Sequence, residues 1–195
     1  MGAQLAAEAL RRGHRVTVVH GPSLEPLPKG CRRISVERTA EMDAQLRKQL
    51  PSADALIMAA AVADFKLASR LTKKLPRKAR LLLKLNATQD IVAALPRRCG
   101  QIFAGFALEP RDAVSRAMRK LKDKRLDLVL AQRAAKESPF GRKKVRAWLL
   151  GVDRQLKVDR RRNLVEVADL GWTTKPRIAR LLLDKIEALW YGQRK

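Results

Sequence analysis

Eight consecutive apolar residues, Ala55-Leu-Ile-Met-Ala-Ala-Ala-Val62, run without polar alternation, and no other stretch constrains the fold as much. A strand with one wet face alternates, whereas a strand covered on both faces reads as a continuous apolar run. Elsewhere short apolar runs alternate with helical periods, which is the α/β signature. The expected class is a doubly wound, Rossmann-like, mostly parallel sheet with helices on both faces. Residues 1–195 then form one domain, with 55–62 as a central strand.

The remaining elements follow from local chemistry. Leu5, Ala6, Ala9 and Leu10 share a helical face, and Gly13 is placed as a left-handed stop. Residues 16–19 read as a buried strand closed by Gly21-Pro22, and 34–36 as a second. Thr39 caps a helix carrying Met42 and Leu46, which Pro51 ends. Residues 66–80 read as a mobile basic loop and 81–85 as an extension strand. A helix over 90–95, a buried strand over 102–107, a basic helix over 111–124 and a strand over 126–130 come next. Residues 145–152 and 164–167 pair as an antiparallel edge hairpin. Thr174, with Pro176 in the first turn, opens a last helix through Ile178, Leu181, Leu182, Ile186 and Leu189. A doubly wound domain opens on a strand and a glycine-rich turn before its first helix. Here the pattern opens on the helix at Met1-Gly2, so that strand and turn are expected upstream of Met1 or from a partner.

Charge narrows the partners. Lys and Arg number 43 against 19 Asp and Glu, a net charge of +24 that favours anionic ligands of every kind. Aromatic residues are only 4%, which argues against a stacking platform for single strands. Nucleic acid therefore stays open as a partner of the basic surface without being favoured. No apolar run reaches the roughly 18–20 residues of a membrane span. Cys31 and Cys99 have no metal-ligand spacing with His14 and His20, so free thiols in a reducing cytoplasm are expected.

Several short strings occur in one order: Met1-Gly2, Ala9-Leu-Arg-Arg-Gly-His-Arg-Val-Thr-Val-Val-His-Gly-Pro22, Arg33-Ile34, Val36-Glu37, Ala40-Glu41-Met42, Ala59-Ala-Ala-Val-Ala-Asp64-Phe65, Asp90-Ile91, Gly105-Phe-Ala-Leu-Glu109 and Leu126-Asp-Leu128. Together they resemble the phosphopantothenate–cysteine ligase (phosphopantothenoylcysteine synthetase) family, the C-terminal domain of a bifunctional DNA/pantothenate metabolism flavoprotein. The resemblance runs nearly end to end. It implies a ligase-like nucleotide-binding domain of coenzyme A biosynthesis. In that family CTP activates the carboxylate of 4′-phosphopantothenate as an acyl-cytidylate, with Mg²⁺, and the amine of cysteine then displaces the nucleotide. ATP replaces CTP in some relatives.

The resemblance also implies residues. The backbone of Met58, Ala59 and Ala60 matches the strand end at the base, and Asp64 the acidic residue beside it; its bland reading is a turn cap. Gln89, Asp90, Ile91 and Val92 match the family's Asn-Pro-Asp-Ile segment at the nucleotide, although Thr88-Gln-Asp-Ile91 has lost the proline. Phe106 matches an aromatic at the nucleotide, or is simply core. Lys120 and Lys124, spaced i, i+4 on one helical face, match a pair that meets the triphosphate; an ordinary basic helix surface is the alternative. Lys74, ten residues after Asp64, matches a mobile catalytic lysine, with Lys73 as the fallback. No metal ligand is assigned on the protein. A homodimer is implied, and a separately encoded decarboxylase flavoprotein is the further partner.

Three departures weigh against full activity. The glycine-rich turn and its catalytic asparagine have no counterpart from Met1 onward. The family's Ala-Asn-Asp is Ala131-Gln132-Arg133, and an acidic loop becomes Ser138-Pro-Phe-Gly-Arg-Lys-Lys144. A catalytically degenerate relative that binds nucleotide or nucleic acid is therefore the alternative. A dinucleotide-dependent oxidoreductase ranks last, because no Gly-x-Gly-x-x-Gly follows a strand.

Overall fold

A computed structural model describes residues 1–69, 82–134, 144–152 and 165–193. Its element order is α1 (Gly2–Arg11), β1 (Thr17–His20), β2 (Arg32–Ser35), α2 (Thr39–Gln49), a 3₁₀ turn (Leu50–Ser52), β3 (Ala55–Met58), β4 (Phe65–Leu67), β5 (Leu85–Ala87), α3 (Ile91–Ala94), β6 (Ile102–Glu109), α4 (Ala113–Asp123), β7 (Leu128–Arg133), β8 (Lys144–Val152), β9 (Val165–Thr174) and α5 (Lys175–Gly192). The main sheet runs β3-β6-β7-β8-β9, and β1-β2 and β4-β5 are separate two-stranded pieces. β1 pairs with β2, β3 with β6 and β6 with β7 in parallel, whereas β7-β8, β8-β9 and β4-β5 are antiparallel. The doubly wound, mostly parallel plan and its antiparallel edge are as the sequence leads one to expect.

Helices cover both faces of the main sheet. Met42 and Leu46 of α2, Val92 of α3 and Leu121 of α4 pack with Phe103 and Val129 on one face. Leu5 and Ala9 of α1 and Ile178 and Leu182 of α5 pack with Ile102, Leu128 and Leu130 on the other. Gly13 leaves α1 at φ +83°, the conformation its lack of a Cβ permits. The Thr174 hydroxyl accepts from the Arg177 N–H and so caps α5, with Pro176 in its first turn.

Several expectations need correction. The run 55–62 is not one long central strand. Only Ala55–Met58 is extended; it is half-buried and lies at the edge of the main sheet, because β1 does not pair with it. β1 is half-buried for the same reason. The cap of α2 is Arg38 rather than Thr39, since the Glu41 carboxylate reaches back to accept from the N–H groups of Glu37 and Arg38 at 2.9 and 3.2 Å. Part of the expected basic loop is strand: β4 registers Phe65 against Ala87, and the extension strand is Leu85–Ala87 instead of 81–85. On α5 it is Leu183 that is buried, while Leu181 is only half-buried. Residues 70–81, with Lys73 and Lys74, and residues 138–143 of the basic loop lie outside the described residues.

Arg12 ties α1 to α5. It pairs with Glu8 at 2.9 Å, Asp184 at 2.8 Å and Glu187 at 2.9 Å, and donates to the Arg180 carbonyl. The Arg11 guanidinium is the main cause that holds the Glu8 carboxyl down at about 2, and the His14 ring, followed by Arg12, holds Glu187 below its usual range. A depressed carboxyl contributes stability that is complete above its unfolded value and lost as pH falls through the folded one. The melting temperature should therefore drop steadily as pH falls from 4.5 to about 2. A flat profile by circular dichroism over that window, read at α1–α5 by amide exchange, would contradict this account.

Candidate functional site

Ligands of open α/β sheets sit outside the carboxyl ends of the strands, where the topology switches direction. Here those ends belong to β3 and β6, paired Met58 to Gly105. Gly105 lies beneath Leu126, and a Cβ at that position would come within 2.8 Å of its Cδ1, so side-chain-free backbone lets β6 continue under the loop. Beyond Met58, Ala59 is half-buried and Ala60 exposed. The main chain there is open for contact with a flat ligand.

The turn that carries Asp64 is pinned by Thr88. The Thr88 N–H donates to the Asp64 carbonyl at 2.8 Å and its hydroxyl to the Ala63 carbonyl at 2.6 Å. This leaves the Asp64 side chain exposed and not engaged as the turn's cap. The next residue but one, Asp90, opens α3 by accepting from the Ala93 N–H at 3.2 Å. Gln89 is exposed between them, while Ile91 and Val92 bury their side chains in the core. A ligand could meet those two only through backbone.

Helix α4 brings the cations. Ala113, Ala117 and Leu121 form its buried stripe, which sets Lys120 and Lys124 at the margin facing α3 and β6. Lys120 Nζ donates to the Phe106 carbonyl at 2.5 Å, and Lys124 Nζ pairs with Asp90 at 2.8 Å. Burial lowers the Lys120 ammonium below its ordinary value, and Lys124 adds to the effect, against the opposing fields of Glu109, Asp90 and Asp64. Burial would raise the Asp90 carboxyl, but Lys124 and the Ala93 N–H outweigh it and hold Asp90 below its usual range. Asp64, Asp90, Glu109, Lys120 and Lys124 thus share one electrostatic neighbourhood. Phe106 is half-buried and packs beside the α1–α5 core, and its carbonyl orients Lys120.

The arrangement can bind an anion. Lys120 and Lys124 have backbone and carboxylate partners that a phosphate could replace, with charge-assisted contacts in exchange. Among the described residues no group of three or more His, Cys, Asp or Glu side chains is placed to hold a metal ion. Sequence reasoning passed over Thr88 and Glu109. Thr88 carries no signal by itself, because its role depends on the β4–β5 pairing that brings it to Ala63; Glu109 stood in the quoted Gly105–Glu109 string without a role.

Fold and crevice together define an α/β doubly wound domain with an anion-binding strand-end site. The model of the family described as DNA/pantothenate metabolism flavoprotein C-terminal domain matches residues 1–189, and the chain belongs to that family. It is 37% identical over 134 residues to a cysteine/cysteine sulfinic acid decarboxylase of an unknown prokaryotic organism, covering 67% of this chain and 37% of that protein. It is 35% identical over 136 residues to the coenzyme A biosynthesis bifunctional protein CoaBC of Borreliella burgdorferi, covering 67% of this chain and 35% of the relative. The match to CoaBC of Escherichia coli is 34% over 137 residues, 67% of this chain and 34% of that one. The chain thus spans about a third of the length of these curated relatives. Among solved structures, the C-terminal domain of CoaBC superposes with a TM-score of 0.77 at 23% identity, covering 98% of this chain and 82% of that one. The DNA/pantothenate metabolism flavoprotein from Streptococcus pneumoniae gives 0.74 at 20%, covering 96% and 86%. At these identities the structures speak for the fold.

Proposed function

We propose that this chain is a phosphopantothenate–cysteine ligase domain that takes CTP at the carboxyl ends of β3 and β6, in coenzyme A biosynthesis. The observation that carries the reading is the placement of Lys120 and Lys124 together beside Asp90, Phe106 and the Asp64 turn, in a member of this family. In this reading the backbone of Met58, Ala59 and Ala60 seats the base, with Asp64 beside it. The segment Gln89 to Val92 lies along the nucleotide, and Lys120 and Lys124 meet the triphosphate.

A carboxylate resists attack by an amine until one oxygen becomes a leaving group. The phosphopantothenate carboxylate therefore attacks the α-phosphorus of CTP, and pyrophosphate leaves. The cysteine amine then attacks the carbonyl carbon of the acyl-cytidylate, CMP leaves with the C–O bond pair, and the amine proton passes to solvent. Cations placed where charge crowds on phosphorus lower both barriers. The described residues do not form a protein cage for Mg²⁺; the ion belongs to this reading as the companion of the triphosphate, the usual way it is held. A homodimer and a separate decarboxylase flavoprotein remain part of the proposal.

The deciding experiment incubates the protein with phosphopantothenate, cysteine and each nucleoside triphosphate, and scores nucleoside monophosphate release. CMP in excess of AMP is expected. Release with no nucleotide would move the reading to a degenerate relative that binds anions through its +24 surface, which Arg133 in place of the family's acidic residue already favours. Lys74 is proposed to meet the acyl-nucleotide. Lys74→Ala should slow turnover of a preformed acyl-cytidylate more than it weakens CTP binding, and equal single-turnover rates would remove Lys74 from the reaction.

A further inference from the structure

The two parallel pieces of the sheet face each other across an opening. β1 has β2 as its neighbour, β3 has β6, and neither has a second neighbour among the described residues. The hydrogen bonds fix which groups face the gap. Arg32 and Val36 N–H groups donate to the Val16 and His20 carbonyls, and the Ile102 N–H to that of Asp54. In a parallel ladder a residue turns both backbone groups to one side, and successive residues turn to opposite sides. Thr17 and Val19 on β1, and Ala55 and Ile57 on β3, therefore point their N–H and C=O groups away from their partners, toward one another.

Between them lies a cavity of about 1650 Å³, bordered by both strands and closed by α1 and α5 on one face and α2 on the other. Packing voids in proteins seldom exceed a water molecule, and small-molecule pockets run to roughly 1,000 Å³. This opening is larger than either. It is also apolar on both faces: Leu5, Ala6 and Ile186 line one side and Met42 and Leu46 the other. Apolar walls with two rows of unpaired backbone groups match one chemistry, an extended polypeptide that is apolar on both faces.

Direction and connection follow. The α2 crossover from β2 places β3 parallel to β1 and β2, so a strand between them runs the same way and ends level with Gly21 and Ala59. Met1 and Gly2, the start of α1, line the cavity together with Gly21 and Ala59. A strand ending there needs only a tight turn to enter α1, and strand, α1 and β1 then make a right-handed crossover unit.

We propose that the slot between β1 and β3 is a strand-acceptor site, filled by an apolar strand of about five residues parallel to both and joined by a tight turn to the amino side of Met1. The strand unites β1-β2 with the main sheet, and buries the half-exposed edges of β1 and β3. This inference goes beyond the ligase reading and stands whether or not nucleotide is turned over.

The test is amide exchange on the 195-residue chain and on the same chain carrying a Val- and Ile-rich strand and a Gly-Ser turn before Met1. The control extension has proline at alternate positions, which cannot donate to a ladder. In the strand-bearing chain the amides of Thr17, Val19, Ala55 and Ile57 should slow by roughly tenfold or more, with monomer mass retained and no change in the proline control. The same strand peptide added in trans, should the fusion fail to fold, should slow those four amides at millimolar concentration. Equal exchange in all forms overturns the proposal. So does protection already present in the unextended chain, either as a dimer, which makes a second copy the occupant, or as a monomer, which means that β1 and β3 pair directly.

Discussion

Asp127→Ala should cost about 3–5 kcal/mol of folding free energy, the range for removing one partner of a buried pair. Asp127 is 3% exposed at the turn before β7. Its Oδ2 accepts from the Phe103 N–H at 2.7 Å and from the Arg97 guanidinium. Arg97 also donates to the carbonyls of Arg125 and Gln101, at 2.7 and 2.6 Å, and lies over the Phe103 ring at 4.9 Å. The Asp127 main chain adds bonds to Phe103 and Val152, so the residue joins β6, β7 and β8 where the core is tightest. Alanine leaves a buried N–H without an acceptor and a guanidinium without its anion. Arg97→Ala should cost less, since Arg97 reaches solvent and Asp127 keeps the Phe103 N–H. The measurement is urea unfolding of both single variants and the double, with a coupling of about 0.5–3 kcal/mol expected. Independent, additive effects would mean that the pair is not a unit.

Asp127 also shows what the sequence could and could not convey. Leu126-Asp-Leu128 was recognisable as a string in its place, but whether its carboxylate serves a ligand or the core depends on Arg97, thirty residues earlier. The same limit governs the site. Helical spacing alone put Lys120 and Lys124 on one face, and local capping chemistry gave Thr174 and the start of α3. The partners of these lysines, the Phe106 carbonyl and Asp90, come from two other elements, and no periodicity records them. The run 55–62 misled for a related reason. Its composition reports that both faces are covered, which α1, α5 and α2 do achieve, yet composition is silent on whether each edge has a neighbour. Alternation reads faces; hydrogen-bonded edges lie in the plane and leave no trace in the pattern.

If the strand ends of β3 and β6 hold CTP, Lys120→Ala should weaken its binding by about 2–3 kcal/mol, and Lys124→Ala by about 1–2 kcal/mol, within the range for hydrogen bonds to charged groups. The ordering follows from their surroundings. Lys120 is the more enclosed, and burial already disfavours its charge, so an incoming phosphate relieves a cost as well as making a contact. Lys124 must first loosen its pairing with Asp90, which offsets part of its gain. The pH dependence has a definite sign. Phosphate binds the charged ammonium, and the free Lys120 titrates below its ordinary 10.5, so affinity should begin to fall at lower pH than an ordinary lysine would give. In Lys120→Ala that early loss should vanish, leaving the later titration of Lys124. Calorimetric titration of CTP into the parent and both variants across alkaline pH reads all of this. Parent-like affinity in both variants would place the triphosphate elsewhere, and with it the reading of α4 as the helix that neutralises the leaving pyrophosphate.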